Sequence, residues 1–219
     1  MKPWISALLL PLFLSGIGTT LFAQTLSLEL MGGTGLNFIT PLTIHQDGYP
    51  DLQVSANYDT NPFGGHAPYY AWRVGLWSGN QAWEFEHIHH KLYLTNFPPS
   101  ITAFAISHGY NYLLFGHAWK WGDWVFHLDM GPIVTHPETV IRGLVQDEEH
   151  GGLFDGGYYF SGLGFHSALG RDFPLGRNLF GVAEVAVTTG FAWWVPIAGG
   201  WADVPNLALH GHLGLGYRF

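Results

Sequence analysis

The C-terminal stretch from Asn206 to Phe219 alternates with a period of two. Leu207, Leu209, Leu213, Leu215, Tyr217 and Phe219 fall on one face, and Ala208, His210, His212 and Arg218 on the other. Successive side chains of a strand point to opposite sides, so one side of this strand is wholly apolar and the other carries imidazole and guanidinium groups. This is the pattern that a lipid-facing wall with a polar interior needs; a soluble β-sandwich can also end in such a strand, but rarely on the aromatic itself. In a bilayer every backbone polar group must also be paired, which only a closed ring of strands achieves.

Seven further runs of suitable length lie upstream, each bounded by Gly, Pro, Asn or Asp clusters. They are Thr25 to Phe38, Tyr69 to Trp77, Ala82 to Leu94, Ser107 to Trp119, Trp124 to Thr135, Gly157 to Arg171 and Leu179 to Trp193. Brief turns are expected at Ser78 to Gln81, Lys120 to Asp123 and Phe173 to Arg177. Long loops are expected at Ile39 to Pro68, Thr95 to Ile106, His136 to Gly156 and Trp194 to Pro205. Short turns at one end and long loops at the other are the asymmetry of outer-membrane barrels, and an even strand number puts both chain ends on the periplasmic side. No stretch beyond the N-terminal one reaches the apolar length of a spanning helix. The composition agrees, with only 11% charged residues, 16% aromatics and 30 Gly. The expected fold is all-β: an eight-stranded antiparallel transmembrane up-and-down β-barrel. The terminal Phe219, preceded by alternate apolar residues, resembles the assembly signal of such barrels.

Residues 1–23 read as a signal peptide. Lys2 precedes the apolar run Trp4 to Phe13, and small residues lead to a cut after Ala23, leaving 24–219 as the barrel domain. The chain has no Cys, which excludes disulfides, thiolate metal sites and an N-terminal lipid anchor on cysteine. Its formal charge of -8 excludes a phosphate-neutralising surface, so nucleic acid is not an expected partner. The expected partner is the outer-membrane lipid bilayer, entered as a monomer.

Alternation sends Glu29, Arg73, Glu84, Glu86, Asn111, His117, His127, Asp129, His166, Glu184, His210, His212 and Arg218 inward. Leu28, Leu30, Trp72, Val74, Trp83, Phe85, Leu128, Leu163, Val185 and Leu213 point outward. Eight strands leave an interior that side chains fill, so these polar groups read first as a mutually paired filling. The same reasoning argues against a conducting channel, despite the space left by Gly162, Gly164, Gly211, Gly214 and Gly216. A sharper pattern is the run Glu84 to Tyr93, which packs three His and two Glu into one strand. His87 and His89 share one face and Glu86 and His90 the other, and imidazole with carboxylate suits zinc, copper or iron. Glu86, His87, His89 and His90 are therefore the metal candidates. Gly-x-Ser-x-Gly, phosphate-cradling and dinucleotide motifs are missing. Ser107-His108 and His166-Ser167 remain as Ser/His pairs, although neighbours on a strand point to opposite faces.

Four short motifs occur in order: Pro68 to Trp77, Phe85-x-His87 with Lys91-x-Tyr93, Ser107 to Leu114, and His136-Pro-Glu138. Together they resemble the outer-membrane barrels grouped with the rhizobial lipid A oxidase, over most of the mature chain. The resemblance implies an eight-stranded barrel acting on or near the glucosamine of lipid A, with His87, His108, His136 and Glu138 as catalytic candidates. The chain departs from the pattern by two extra residues between Phe85 and Lys91, so either His87 or His89 matches the family histidine. No cofactor is fixed by the sequence, but oxygen-dependent chemistry would need a metal, with His and Glu as ligands. Two functions follow. One is a structural or surface-interaction role, resting on the filled lumen and on loops rich in aromatics and acids such as Asp147-Glu148-Glu149. The other is modification of lipid A, or of lipopolysaccharide, at a His-rich extracellular rim.

Overall fold

The computed structural model describes residues 24–64, 67–146 and 150–219; the expected leader, 1–23, lies outside them. The strands are β1 (Gln24–Asn37), β2 (Thr40–Gln46), β3 (Leu52–Ala56), β4 (Tyr58–Asp59), β5 (Tyr70–Ser78), β6 (Gln81–Leu94), β7 (Ile101–Trp121), β8 (Trp124–Thr135), β9 (Glu138–Ile141), β10 (Leu144–Val145), β11 (Tyr159–Pro174), β12 (Leu179–Ile197) and β13 (Gly200–Arg218). Eight of them close a ring in the order β1, β5, β6, β7, β8, β11, β12, β13, and β13 returns to β1. Every neighbour in the ring is antiparallel. The ring leaves no unpaired edge in hydrocarbon, which is the condition a spanning sheet must satisfy.

The outward face is a continuous apolar belt: Leu30, Trp83, Phe115, Leu128, Val185, Leu213 and Leu215 are all exposed. The expected outward residues lie on it. Hydrophobic side chains turned out around a whole closed sheet have no aqueous counterpart, and they place the barrel in a membrane.

The connections differ from the expected loops where the wall rises above the bilayer. The region expected as loop 194–205 is instead a continuation of β12 and β13 to a tight turn at Ala198-Gly199, with a register break between Ala192 and Val195. β7 starts at Ile101, inside the expected loop 95–106, because β9 pairs with its upper end from Ile101 to Ala105. The long segment after β1 folds into β2, β3 and β4, with β2 pairing β13 and β4 pairing β6. Backbone groups above the bilayer still need partners, and extending the sheet supplies them. β2 also delivers Leu42 and Ile44, both wholly buried, to an apolar cluster with Ile88, Leu92, Tyr110, Tyr112 and Val204. The upper lumen is closed by this cluster.

Below it the lumen is polar and paired. Arg73 donates to Glu29 (2.9 Å), Glu86 (2.9 Å) and Glu184 (2.8 Å), while His127 contacts Glu84 at 2.6 Å and His166 contacts Asp129 at 2.8 Å. From Glu184 a chain of side chains climbs through His212 Nδ1 (2.9 Å), the Tyr69 hydroxyl (2.7 Å), His210 Nδ1 (2.8 Å) and Thr188 (2.7 Å). At the mouth beside the short turns Arg218 and Lys120 both donate to Asp172.

Two expected lumen residues face the other way. Glu86 pairs across from Leu114, Ile88 from Tyr112 and His90 from Tyr110, so the tyrosines of β7 point in, and Asn111 and His117 point out. The expectation ranked polar above aromatic for the interior. Here Tyr110 finds a buried partner, donating to the carbonyl of Val204 at 2.9 Å, while His117 sits edge-on to Trp83 and Trp119 on the outside.

Candidate functional site

The site is built by a break in the β6–β7 ladder. His90 pairs with Tyr110, but the next pair is Leu92 with Ile106, so Ser107, His108 and Gly109 of β7 stand opposite Lys91 alone, a bulge of two extra residues. Gly109 adopts φ 119°, a conformation that a side chain disfavours, and a Cβ there would strike the Asn111 side chain. A bulge re-aims side chains. Ser107 and His108, which a regular strand would send to opposite faces, both reach Glu138: Ser107 Oγ donates to Oε1, and His108 Nδ1 lies 2.8 Å from the same oxygen.

Glu138 is held in turn by β9, where it pairs with Ala105. His136 lies between β8 and β9, its backbone N–H donating to the carbonyl of Gly109 at 3.3 Å. Its ring packs against His108 and against Tyr158, each at 4.7 Å between centroids. The metal-binding atoms of His108, His136 and Glu138 all lie within 4.8 Å of one another.

A second polar group sits lower on the same outer wall. Asn111 Nδ2 donates to the carbonyl of His108 at 3.3 Å, which fixes the amide orientation and leaves Oδ1 as the acceptor. His87 Nε2 (3.0 Å) and His89 Nδ1 (2.9 Å) both donate to that oxygen, and Tyr70 stacks on the His89 ring at 4.9 Å. The buried Nε2 of His89 has no hydrogen-bond partner among the described residues.

The Asn111 group and His108 border one cavity of about 550 Å³, whose walls include Tyr70, His87, His89, His108, Asn111, Leu113, Val134 and Phe160, with Leu153, Phe154 and Tyr158 from the loop above; His136 adjoins it through Tyr158. Asn111 pairs with both His89 and Val134, and Val134 with Phe160, so these side chains share the outward face of the sheet. The cavity therefore lies outside the barrel, between its wall and an overhanging loop. Phe154 is fully exposed beside it.

Of the four catalytic candidates, His108, His136 and Glu138 come together as one group, and His87 lines the same cavity through the Asn111 group. The four metal candidates do not converge: His87 and His89 face out, whereas Glu86 binds Arg73 and His90 Nε2 binds Asn37 (2.8 Å) inside the lumen. An ion cannot bridge two faces of one strand. The sequence reading did not single out Tyr70 or Tyr158, and it gave Asn111 a place in the lumen; the legible trace of the bulge is Ser-His-Gly within an alternating run. Glu86, His166 and Glu184 form a second close set inside the lumen, but Arg73 already donates to both carboxylates.

No protein-family model and no curated relative matches the chain. Solved structures similar to it include Ail, the attachment invasion locus protein of Yersinia pestis, with 12% identity, a TM-score of 0.41 and coverage of 90% of this chain and 97% of that one. The outer membrane protein AlkL, solved in DMPC lipid bilayers, matches with 12% identity, a TM-score of 0.42 and coverage of 90% and 89%. Neisserial surface protein A matches with 8% identity, a TM-score of 0.36 and coverage of 89% and 95%. The closed ring of eight strands, the apolar belt around it and the paired polar lumen make this chain a small β-barrel of the bacterial outer membrane.

Proposed function

We propose that the outer-wall cavity receives an outer-leaflet glycolipid of the lipid A class and that the His108, His136 and Glu138 group modifies its sugar head. One observation carries this reading: His108 of this group lines a cavity on the outward face of the wall, beside Leu113, Val134 and Phe160, and not in the lumen. A lipid in the outer leaflet can reach such a site by lateral diffusion, with its acyl chains on the belt and its head at the rim. The upper lumen, by contrast, is filled by the buried apolar cluster around Leu42 and Ile44.

The geometry disfavours acyl transfer. A serine nucleophile needs its hydroxyl on the base, whereas Ser107 donates to Glu138, the same oxygen that His108 approaches. Two-electron oxidation of the sugar by dioxygen, which is reduced to hydrogen peroxide while water supplies the oxygen gained, is therefore favoured over loss of an acyl chain, in line with the resemblance to the lipid A oxidase group. The competing reading, a structural or surface-interaction barrel, draws on the filled lumen and the exposed aromatics of the loops.

The two readings separate in the mass spectrum of lipid A from a Gram-negative host making the protein. The expected result is an oxygen-sized gain with the wild-type chain that disappears with Glu138→Gln and His108→Ala, both still folding to a heat-modifiable barrel. An unchanged spectrum with a folded wild-type barrel would leave the structural reading in its place.

A further inference from the structure

We infer that His108, His136 and Glu138 bind a first-row divalent metal ion beside the cavity that His108 lines. Two imidazoles and one carboxylate form a donor set suited to such ions, and three protein ligands leave room for substrate oxygen. The 2.8 Å separation of His108 Nδ1 and Glu138 Oε1 is close to the roughly 2.9 Å expected between neighbouring ligands that meet at about 90° with bonds of ~2.05 Å.

The three residues are also held by backbone. His108 sits in the bulge made by Gly109, His136 is tied to that bulge through its own N–H, and Glu138 is fixed in the β9 ladder. Ser107 supplies the outer support usual for a ligating carboxylate, donating to Glu138. With no thiolate in the chain, the set excludes soft-metal clusters. The buried lumen set does not compete, because the guanidinium of Arg73 holds the cation position between Glu86 and Glu184.

The ion's role rests on the lipid-modifying reading, but its binding does not, and the test uses no lipid. The untagged barrel, folded in detergent micelles and stripped with a chelator, is titrated with Co²⁺ and followed by equilibrium dialysis and visible absorption. One bound equivalent with d–d bands is expected. His108→Ala, His136→Ala and Glu138→Gln should each abolish the bands, Ser107→Ala should weaken affinity by about 10–100-fold, and His117→Ala, on the outer face away from the site, should leave binding intact. Glu138→Gln is near-isosteric and guards against loss through misfolding. The inference falls if the folded wild-type chain binds no cobalt, or if binding persists unchanged in these ligand variants. Cobalt binding with an unaltered lipid A spectrum would keep the metal site and remove the proposed reaction; the reverse pair of results would remove the metal site alone.

Discussion

Arg73 shows how much a single side chain organises in this lumen. Fully buried, it donates to three glutamates that come from β1, β6 and β12 and so ties three separate strands across the interior. Removing it leaves three buried carboxylates without their guanidinium partner, which costs about 3–5 kcal/mol for a broken buried pair. Arg73→Met should therefore lose stability on that scale in urea unfolding of the micellar barrel, and Arg73→Lys should recover only part of it, since an ammonium cannot reproduce the planar fork. An unchanged unfolding midpoint in Arg73→Met would show that the network is dispensable. At this scale the sequence was largely legible: parity along each strand placed Arg73, Glu29, Glu84, Glu86, Asp129, His127, His166, Glu184, His210 and His212 inside. It misplaced Asn111 and His117, because polar side chains near the ends of a spanning strand can face outward, where they meet cavity walls or girdle aromatics instead of hydrocarbon.

Among the elements, β7 decides the site. Its tyrosines turn inward over glycines of the facing strands: a Cβ on Gly164 would strike Tyr112, and one on Gly190 would strike both Tyr110 and Tyr112. Its outward residues carry Asn111 and the cavity floor at Leu113. Its bulge then gathers Ser107 and His108 onto Glu138. The strand was legible from alternation, but the bulge was not, since a period-two reading assumes an unbroken ladder. This is why the Ser107-His108 pair looked unable to act together. Gly109→Val should keep heat-modifiable migration, as the spanning part of β7 is untouched, while abolishing lipid A modification through the displaced Asn111 and His108. Full modification by Gly109→Val would mean that the bulge does not set the site.

For the whole molecule, the ring and the belt were readable from composition and alternation, while the rim was not. Loops above a membrane answer to no simple periodicity, and here they extend the sheet, cap the lumen with Leu42 and Ile44, and hang Leu153, Phe154 and Tyr158 over the outer wall. The two walls thus differ: β7 carries the cavity, and β13, opposite it in the ring, presents belt residues such as Leu209, Leu213 and Leu215 at its middle. The absence of cysteine makes that asymmetry directly measurable. Single nitroxide labels at Leu113→Cys and Leu213→Cys, in bilayers with and without lipopolysaccharide in the outer-facing leaflet, report by electron paramagnetic resonance on mobility at each wall. Both labels should be accessible to dissolved oxygen, and lipopolysaccharide should immobilise the label at residue 113 while leaving the one at 213 as it was. Equal responses at the two positions, or none at residue 113, would contradict a lipid site on the outer wall.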